Sequence, residues 1–446
     1  MRHSRAIASV SVTGVSGCIG LWRAVTKTRW VFAVGLVVFL PSALTPRAGA
    51  QTRIDLNQAI QLALAHNHAL LAQRTLIQQN QAQEITANLR PNPNIDFNSQ
   101  YVPFFSPQDF SLDTLNTTQE FDLGLDYLFE RGHKRQRRLQ AARDQTAVTR
   151  AQVQDAERTL AFNVAQQFIA VLLAESTLQF AQQDLKGFQQ TVNLSETQYK
   201  SGYISQGDYL KIKLQLLQFQ TDVSSARVAK VQGLIALRQT LGYDAVPAGY
   251  DVIGTLTYVP VKAQLDDLEA EALKDRPDLR ASQLGITAAR SQILLAKANG
   301  KQDVTGGFTY THTAATNSTG ISISIPWALF NRNQGQIAQS RFALTQAQQT
   351  EMAASDQVLS DVSDAYNQLR SNDEVLRLYS SGYLKEARDS RDISAYAYKR
   401  GAASLLDFLD AERSYRSVQL QYRQALSSYM TSLEQLKEAV GTRNLP

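Results

Sequence analysis

One segment of this chain occurs twice. Tyr199-Lys200-Ser201-Gly202 returns 199 residues later as Tyr398-Lys399-Arg400-Gly401, Ser205 as Ser404, and Asp208-Tyr209-Leu210 as Asp407-Phe408-Leu409. Upstream, Phe129-Glu130-Arg131 is matched by Phe330-Asn331-Arg332, and Leu56 and Leu70 by Leu265 and Leu279. A duplication this long restricts the chain to folds built from two equivalent units that pack on each other. The copies span about 54–241 and 263–441. Residues 242–262, with Pro247, Gly249, Gly254 and Pro260, make a linker, and 442–446 a short tail.

Within each copy the expected order is helix, strand, loop, strand, very long helix, tight turn, helix. No proline occurs between Pro107 and Pro247, or between Pro326 and Pro446, and the intervening sequence is rich in Ala, Gln, Leu, Arg and Glu. Such sequence sustains uninterrupted helices. Apolar and small residues recur at steps of three and four from Leu139 through Val153, Val164, Phe168, Val171 and Leu185 to Val192, a coiled-coil seam. A helix over about 133–200 is roughly 100 Å long at 1.5 Å per residue. The flanking helices, about 55–88 and 205–240, are each about half that, so two stacked end to end match one long helix. The second copy repeats this with 265–298, 334–399 and 404–440. A stalk or a tube needs such helices, and a compact globule does not.

Four short segments break the helical pattern, at about 94–102, 119–128, 303–312 and 319–327. Ile95, Phe97 and Tyr101 alternate with polar residues, as do Phe121, Leu123, Leu125 and Tyr127, then Phe308 and Tyr310, then Ile321, Ile323, Ile325 and Trp327. Period-two patterning with one apolar and one polar face, over eight to ten residues, suits a tilted membrane strand. Tyr101, Tyr127 and Trp327 fall near strand ends, where an interfacial aromatic girdle would stand. Solvated hairpins packed on the helices are the plainer alternative. Four strands cannot close a barrel, and lipid tolerates no open edge. If these strands enter a membrane, several chains must share one barrel.

Residues 1–50 read as a signal peptide, with Arg23, Lys27 and Arg29 before the apolar run Val31–Leu40 and Ala48-Gly49-Ala50 before Gln51. They carry six Lys/Arg and no Asp/Glu, so the net charge of +5 becomes −1 once they are removed. A nucleic-acid partner is not expected from such a balance. Cys18, the single cysteine, stands in a lipoprotein-like Val15-Ser16-Gly17-Cys18 pattern, which leaves lipidation open. After Ala50 no apolar run reaches the length of a spanning helix. No nucleotide loop, nucleophile elbow or metal cluster occurs: His66 and His68 are two apart and diverge on a helix, and His133 and His312 are isolated. Neither enzymatic activity nor a cofactor is expected.

Together these features resemble the TolC family of outer-membrane efflux proteins over residues 54–441. The segments that carry the resemblance are Tyr199 to Ser205, and Tyr398 to Gly401 with Asp407-Phe408-Leu409-Asp410-Ala411. Gly132-His133-Lys134-Arg135-Gln136-Arg137-Arg138 looks like the CzcC-like branch that serves heavy-metal pumps. The resemblance implies a mainly α fold with membrane β structure: a homotrimer with a shared 12-stranded outer-membrane barrel above a long α-helical barrel in the periplasm. It also implies docking onto a periplasmic adaptor (membrane fusion protein), with an inner-membrane transporter of RND type beneath.

The resemblance further assigns residues. Gly202-Tyr203-Ile204 and Gly401-Ala402-Ala403 would be the adaptor-docking tips; glycine there also suits a helix-reversing turn. Asp407 and Asp410, three apart on one helix face, would form stacked carboxylate rings at the pore constriction. Asp208 and Tyr398 would latch the closed tip. The arginine that often completes this latch is Ala403 here, so Arg400 or Lys399 would have to substitute. Lys134, Arg135, Arg137 and Arg138 open a helix whose dipole disfavours cations; they either face lipid phosphates of the outer membrane or form a solvated charge run. Two other readings share much of the pattern: the outer-membrane duct of a type I protein secretion system, and a soluble periplasmic coiled-coil adaptor.

Overall fold

The computed structural model describes residues 52–445 except 103, 104, 107, 109 and 110; the signal peptide and Cys18 lie outside the described residues. The first copy comprises β1 (Arg53–Ile54), α1 (Leu56–His66), α2 (His68–Asn88), β2 (Asn94–Gln100), α3 (Leu112–Thr117), β3 (Glu120–Phe129), α4 (Lys134–Lys200) and α5 (Gln206–Leu241). After β4 (Asp251–Val252) the second copy runs α6 (Leu265–Asp275), α7 (Pro277–Asn299), β5 (Val304–Thr313), β6 (Thr316–Ser324), α8 (Gln334–Leu378), a π-helical turn (Tyr379–Tyr383), α9 (Leu384–Lys399) and α10 (Leu405–Val440).

Helix α4 is unbroken over 67 residues, about 100 Å. None of the seam residues named above is exposed, and Val153, Val164, Phe168, Val171 and Val192 are buried. A second row, Ala141, Val148, Ala165, Ile169 and Leu172, is buried beside it, because α4 packs against α1, α2, α5, α7 and α10 rather than one partner.

The expected helix over 55–88 is two helices. Asn67, in extended backbone, caps α2 by accepting from the Leu70 amide at 3.0 Å, and its Nδ2 donates to the Thr240 carbonyl at the end of α5 at 2.8 Å. That side chain joins the short helices end to end along α4. Gly242 completes the joint: at φ +100° it lies where a Cβ would stand 2.7 Å from the His66 carbonyl oxygen. The second copy has the equivalent joint. The expected helix over 265–298 breaks at Arg276-Pro277, since proline cannot continue a helix from its N-terminal side. Buried Arg276 donates to the Ala439 carbonyl at the end of α10 at 3.2 Å and pairs with Asp278 and, at 2.8 Å, with Asp361.

The expected helix over 334–399 also breaks, in the second copy alone. Ser380-Ser381-Gly382 are poor helix formers, and Gly382 at φ +143° leaves the helical region, separating α9 from α8.

The linker is built into the core. Val246 and Tyr250 are buried with α1, α4 and α5, and the Tyr250 hydroxyl donates to the Leu234 carbonyl at 2.6 Å. Burial pushes that hydroxyl's pKa well up. β4 pairs in parallel with β1, while Leu256 packs on the apolar clusters of both copies. The Tyr429 hydroxyl of α10 donates to the Val259 carbonyl at 2.6 Å.

Candidate functional site

Three regions carry what this fold can do. The first is the four-stranded antiparallel sheet, in the order β2-β3-β5-β6. β6 begins at Thr316 and ends at Ser324, so Ile325 and Trp327 lie beyond the strand, next to Pro326. The register aligns Ile95, Leu125, Phe308 and Ile321 across all four strands, and Phe97, Leu123 and Tyr310 in the adjacent row. Strand pairing thereby merges four separate stripes into one apolar face. That face is uncovered: Ile95, Phe97 and Ile321 keep 71%, 69% and 86% of their surface exposed. His312 lies on the same face, stacked on Phe121 with ring centroids 4.9 Å apart.

The other face carries Asp96, Glu120, Asp122 and Asp126 among Asn, Thr, Ser and Gly, and none of the four strands contains Lys or Arg. Thr311 donates to Asp122 at 2.6 Å, and glycines stand where bulk would meet acids, Gly124 opposite Asp96 and Gly307 opposite Asp126. The outer edges of β2 and β6 have no strand partner among the described residues.

The second region is the pair of helix-reversing turns at the opposite end of α4. Both end a helix in the same way. Gly202 and Gly401 each adopt φ +74°, donating to Tyr199 and Tyr398 carbonyls at 3.0 Å, while Tyr203 and Ala402 donate to Gln198 and Ala397 at 2.9 Å. This is the Schellman motif, in which a residue of positive φ lets two amides reach back to the last turn. Both next helices start alike: Ser205 and Ser404 accept from the amides of Asp208 and Asp407 at 3.0 and 3.2 Å and donate to their carboxylates at 2.9 and 2.7 Å. Both carboxylates are thus tied to the cap serine of their own helix, and that of Asp407 also accepts from the Ser404 amide at 3.2 Å, closing a capping box. Asp410 is exposed on the next turn, 3.7 Å from Arg413.

The repeat extends to ring stacking, Tyr199 on Tyr209 and Tyr398 on Phe408, with centroids 5.3 and 5.4 Å apart. Tyr398 and Phe408 are buried where Tyr199 is exposed, because they lie between the two helix pairs in a cluster with Phe188, Ile212 and Phe219. Burial raises the pKa of Tyr398, its hydroxyl lies beside Ser195, and no hydrogen bond links it to Asp208. A cavity of about 960 Å³ brings Tyr203, Ile204, Asp208, Tyr398, Gly401 and Ala403 together. Arg400 lies over the Tyr396 ring at 5.4 Å; neither it nor Lys399 pairs with Asp208 in place of the arginine absent at Ala403.

Between sheet and turns lies a third region, which the sequence reading missed. Arg416 of α10 reaches Asp184 of α4 at 2.6 Å and Asp222 of α5, with its guanidinium 4.1 Å from the Phe219 ring centroid. Glu412, one turn before Arg416, is buried against Asp184. Burial and then the Asp184 charge push the Glu412 carboxyl up to about 7. Burial raises Asp184 as well, opposed by Arg416. Arg391 of α9, beside Asp392, lies 4.3 Å over the Tyr415 ring, and Arg423 4.4 Å over Phe180. The available signal was Asp184 next to the seam residue Leu185, and Glu412 and Arg416 at i,i+4.

Where β3 meets α4, the basic run divides. Lys134 pairs with Asp303 at 2.7 Å, and Arg138 pairs with Glu130 and donates to the Ala87 and Leu89 carbonyls at the end of α2. These two cations are structural, which corrects the reading of the whole run as either lipid-facing or solvated. Arg135 and Arg137 have no acidic partner among the described residues. Nor, among the described residues, does any group of three or more His, Cys, Asp or Glu converge to hold a metal ion.

The model of the outer membrane efflux protein family matches residues 59–243 and 268–442, the two copies in turn. The cobalt-zinc-cadmium resistance protein CzcC of Cupriavidus metallidurans is 21% identical, with 83% of this chain and 85% of that protein covered. The pyoverdine export outer membrane protein OpmQ of Pseudomonas putida is 24% identical over 87% and 86%. In three dimensions, a crystal structure of CusC superposes with a TM-score of 0.72 over 90% of this chain and 96% of that one, at 20% identity.

Proposed function

Because the chain belongs to the outer membrane efflux protein family and lies in the outer membrane with its helices in the periplasm, we propose that three copies form one passive exit duct of a tripartite pump. The observation that carries this reading is the sheet: one predominantly apolar and largely exposed face, one acidic and polar face, and two edges without a strand partner among the described residues. In lipid an unpaired backbone edge is prohibitive, so β6 of one copy must pair with β2 of the next until the ring closes. Three copies supply twelve strands, comfortably above the eight needed to close a barrel. The apolar face then meets hydrocarbon and the acidic face lines the passage.

The helices below continue the duct. Its narrow end is formed by the two turns, where Asp410, with Asp407 beside it, rings the axis as the pore constriction. Tyr203, Ile204, Ala402 and Ala403, presented by Gly202 and Gly401, contact the periplasmic adaptor, beneath which an RND-type transporter supplies the energy. Tyr398, packed among residues of both helix pairs, and Asp208, which lines the same cavity between the turns, hold the tip closed. The duct exports small solutes or metal ions. Its lining of carboxylates without opposing cations favours cations, in keeping with the likeness to the cobalt-zinc-cadmium resistance protein. No chemical step is assigned to it.

The test combines mass and conductance. Mature protein in detergent should measure as three chains per particle and form cation-preferring channels in planar bilayers. Replacing Asp96, Asp122 and Asp126 by Asn should reduce that preference without closing the channel. A monomer in detergent, with Ile95 and Ile321 accessible to water-soluble probes after reconstitution, refutes the duct.

A further inference from the structure

At the base of the apolar sheet face, a cavity of about 260 Å³ opens between the loop after α2, the end of β3 and the start of α4. Arg90, Tyr127, Phe129, Glu130, Lys134 and Arg135 line it. Two of its charges are already satisfied, Glu130 by Arg138 and Lys134 by Asp303. That leaves Arg90 and Arg135, from two different elements, with no acidic partner among the described residues, so the cavity carries two uncompensated positive charges. Its other wall is aromatic: Tyr127 and Phe129 meet edge to face with centroids 4.8 Å apart, and Phe129 stays 55% exposed as the last apolar residue of β3.

An arginine pair directly under an exposed apolar surface matches an amphiphile with its charge at that level. We infer that this cavity binds the phosphate of an anionic phospholipid from the periplasmic leaflet, with acyl chains lying along Phe129 and Leu125. Guanidinium groups bind phosphate by paired, charge-assisted hydrogen bonds, and exposed aromatics beside them occupy the headgroup level of a bilayer. The inference rests on the reading that the sheet's apolar face meets lipid. A free phosphate would use the arginines but gain nothing from Phe129, so the lipid is the better occupant.

The test uses the purified full-length protein in detergent, titrated with phosphatidylglycerol, phosphatidylcholine or inorganic phosphate and read by native mass spectrometry. Wild type should retain phosphatidylglycerol in preference to phosphatidylcholine. The Arg90→Gln/Arg135→Gln variant should bind phosphatidylglycerol about tenfold or more weakly, at the strength usual for two basic residues near an anionic surface. Arg137→Gln, outside the cavity, should behave as wild type, and millimolar inorganic phosphate should not displace the lipid. Equal loss in the Arg137 variant would reduce the effect to a diffuse field and overturn the site, as would displacement by inorganic phosphate. Insertion of wild type into vesicles is scored in parallel. Insertion without preference for phosphatidylglycerol overturns this site alone, whereas failure to insert into vesicles of any composition overturns the membrane reading and this site with it.

Discussion

Glu412→Gln isolates the buried charge cluster that ties the two helix pairs together. The folded chain holds the Glu412 carboxyl at about 7, against an ordinary 4.5, because it is buried and faces Asp184. A carboxyl raised in the fold is disfavoured when ionised. The cost is absent below pH 4.5, grows between 4.5 and about 7, and is complete above 7. At 1.36 kcal/mol for each tenfold change in proton affinity, the full cost is about 3 kcal/mol per chain. Glutamine keeps the shape, cannot ionise and can donate its amide to Asp184. The variant should therefore be more stable than wild type by about 3 kcal/mol at pH 8 and by less than about 1 kcal/mol at pH 5.

The groups facing this carboxyl are Asp184 of α4, Arg391 and Asp392 of α9, and Arg416 and Tyr415 of α10, with Asp222 of α5 on the far side of Arg416. Thermal midpoints of both proteins, measured in one detergent at pH 5 and pH 8, give the comparison. An equal difference at the two pH values would show that packing rather than ionisation sets the effect and would refute the assignment. Arg416→Gln supplies the opposite arm. It strands Asp184 and Asp222 without their cation, which should cost about 3–5 kcal/mol at pH 8 and less at pH 5, where the carboxylates can take up protons.

Two further substitutions probe the repeat. Gly242→Ala should destabilise by about 2–4 kcal/mol, summing the cost of positive φ and a forced contact with the His66 carbonyl. Gly202→Ala, equally left-handed but with nothing within 4 Å, should cost only about 1 kcal/mol; equal losses in denaturant titration would deny the joint. Arg276→Met should lose about 3 kcal/mol or more in the same titration, because Asp361 and the Ala439 carbonyl are left without their buried donor. A neutral effect there would mean that water replaces the guanidinium.

The long helices and the strands were legible because their signals are local. Absence of proline, steps of three and four, and alternation over eight residues are properties of a stretch read by itself, and α4 follows them for 67 residues. The breaks at Asn67 and Gly382 were not legible. Asparagine in a helical stretch is tolerable by propensity, and what makes Asn67 a joint is the Thr240 carbonyl 173 residues away. Pro277 was a local signal and could have marked the second joint, after which the duplication would have placed the first. The merging of four stripes into one face depends on register, which the alternation in single strands does not state. The buried cluster is the hardest case. Asp184, Asp222 and Glu412 are each ordinary for an exposed coiled-coil face, and only the packing of α10 on α4, beside α5, makes them converge on Arg416.

The same distinction explains why the repeat, so regular in backbone, diverges in chemistry. Both turns share the Schellman ending, the Ser–Asp cap and the stacked rings. Duplication preserves such features because each is satisfied within its own copy. Tyr398 and Tyr199 differ in burial because one lies between the copies and the other outside them. Residues that look interchangeable in sequence therefore acquire different roles wherever the two copies touch, and Asp208 and Asp407 stay alike because each carboxylate accepts from the serine of its own helix. Asp410 has no counterpart to this constraint: it is exposed, its partner Arg413 is 79% exposed, and the pair is worth little in water. Its carboxylate is therefore left to solvent while that of Asp407 is held by Ser404, so the proposed constriction would draw on Asp410 first.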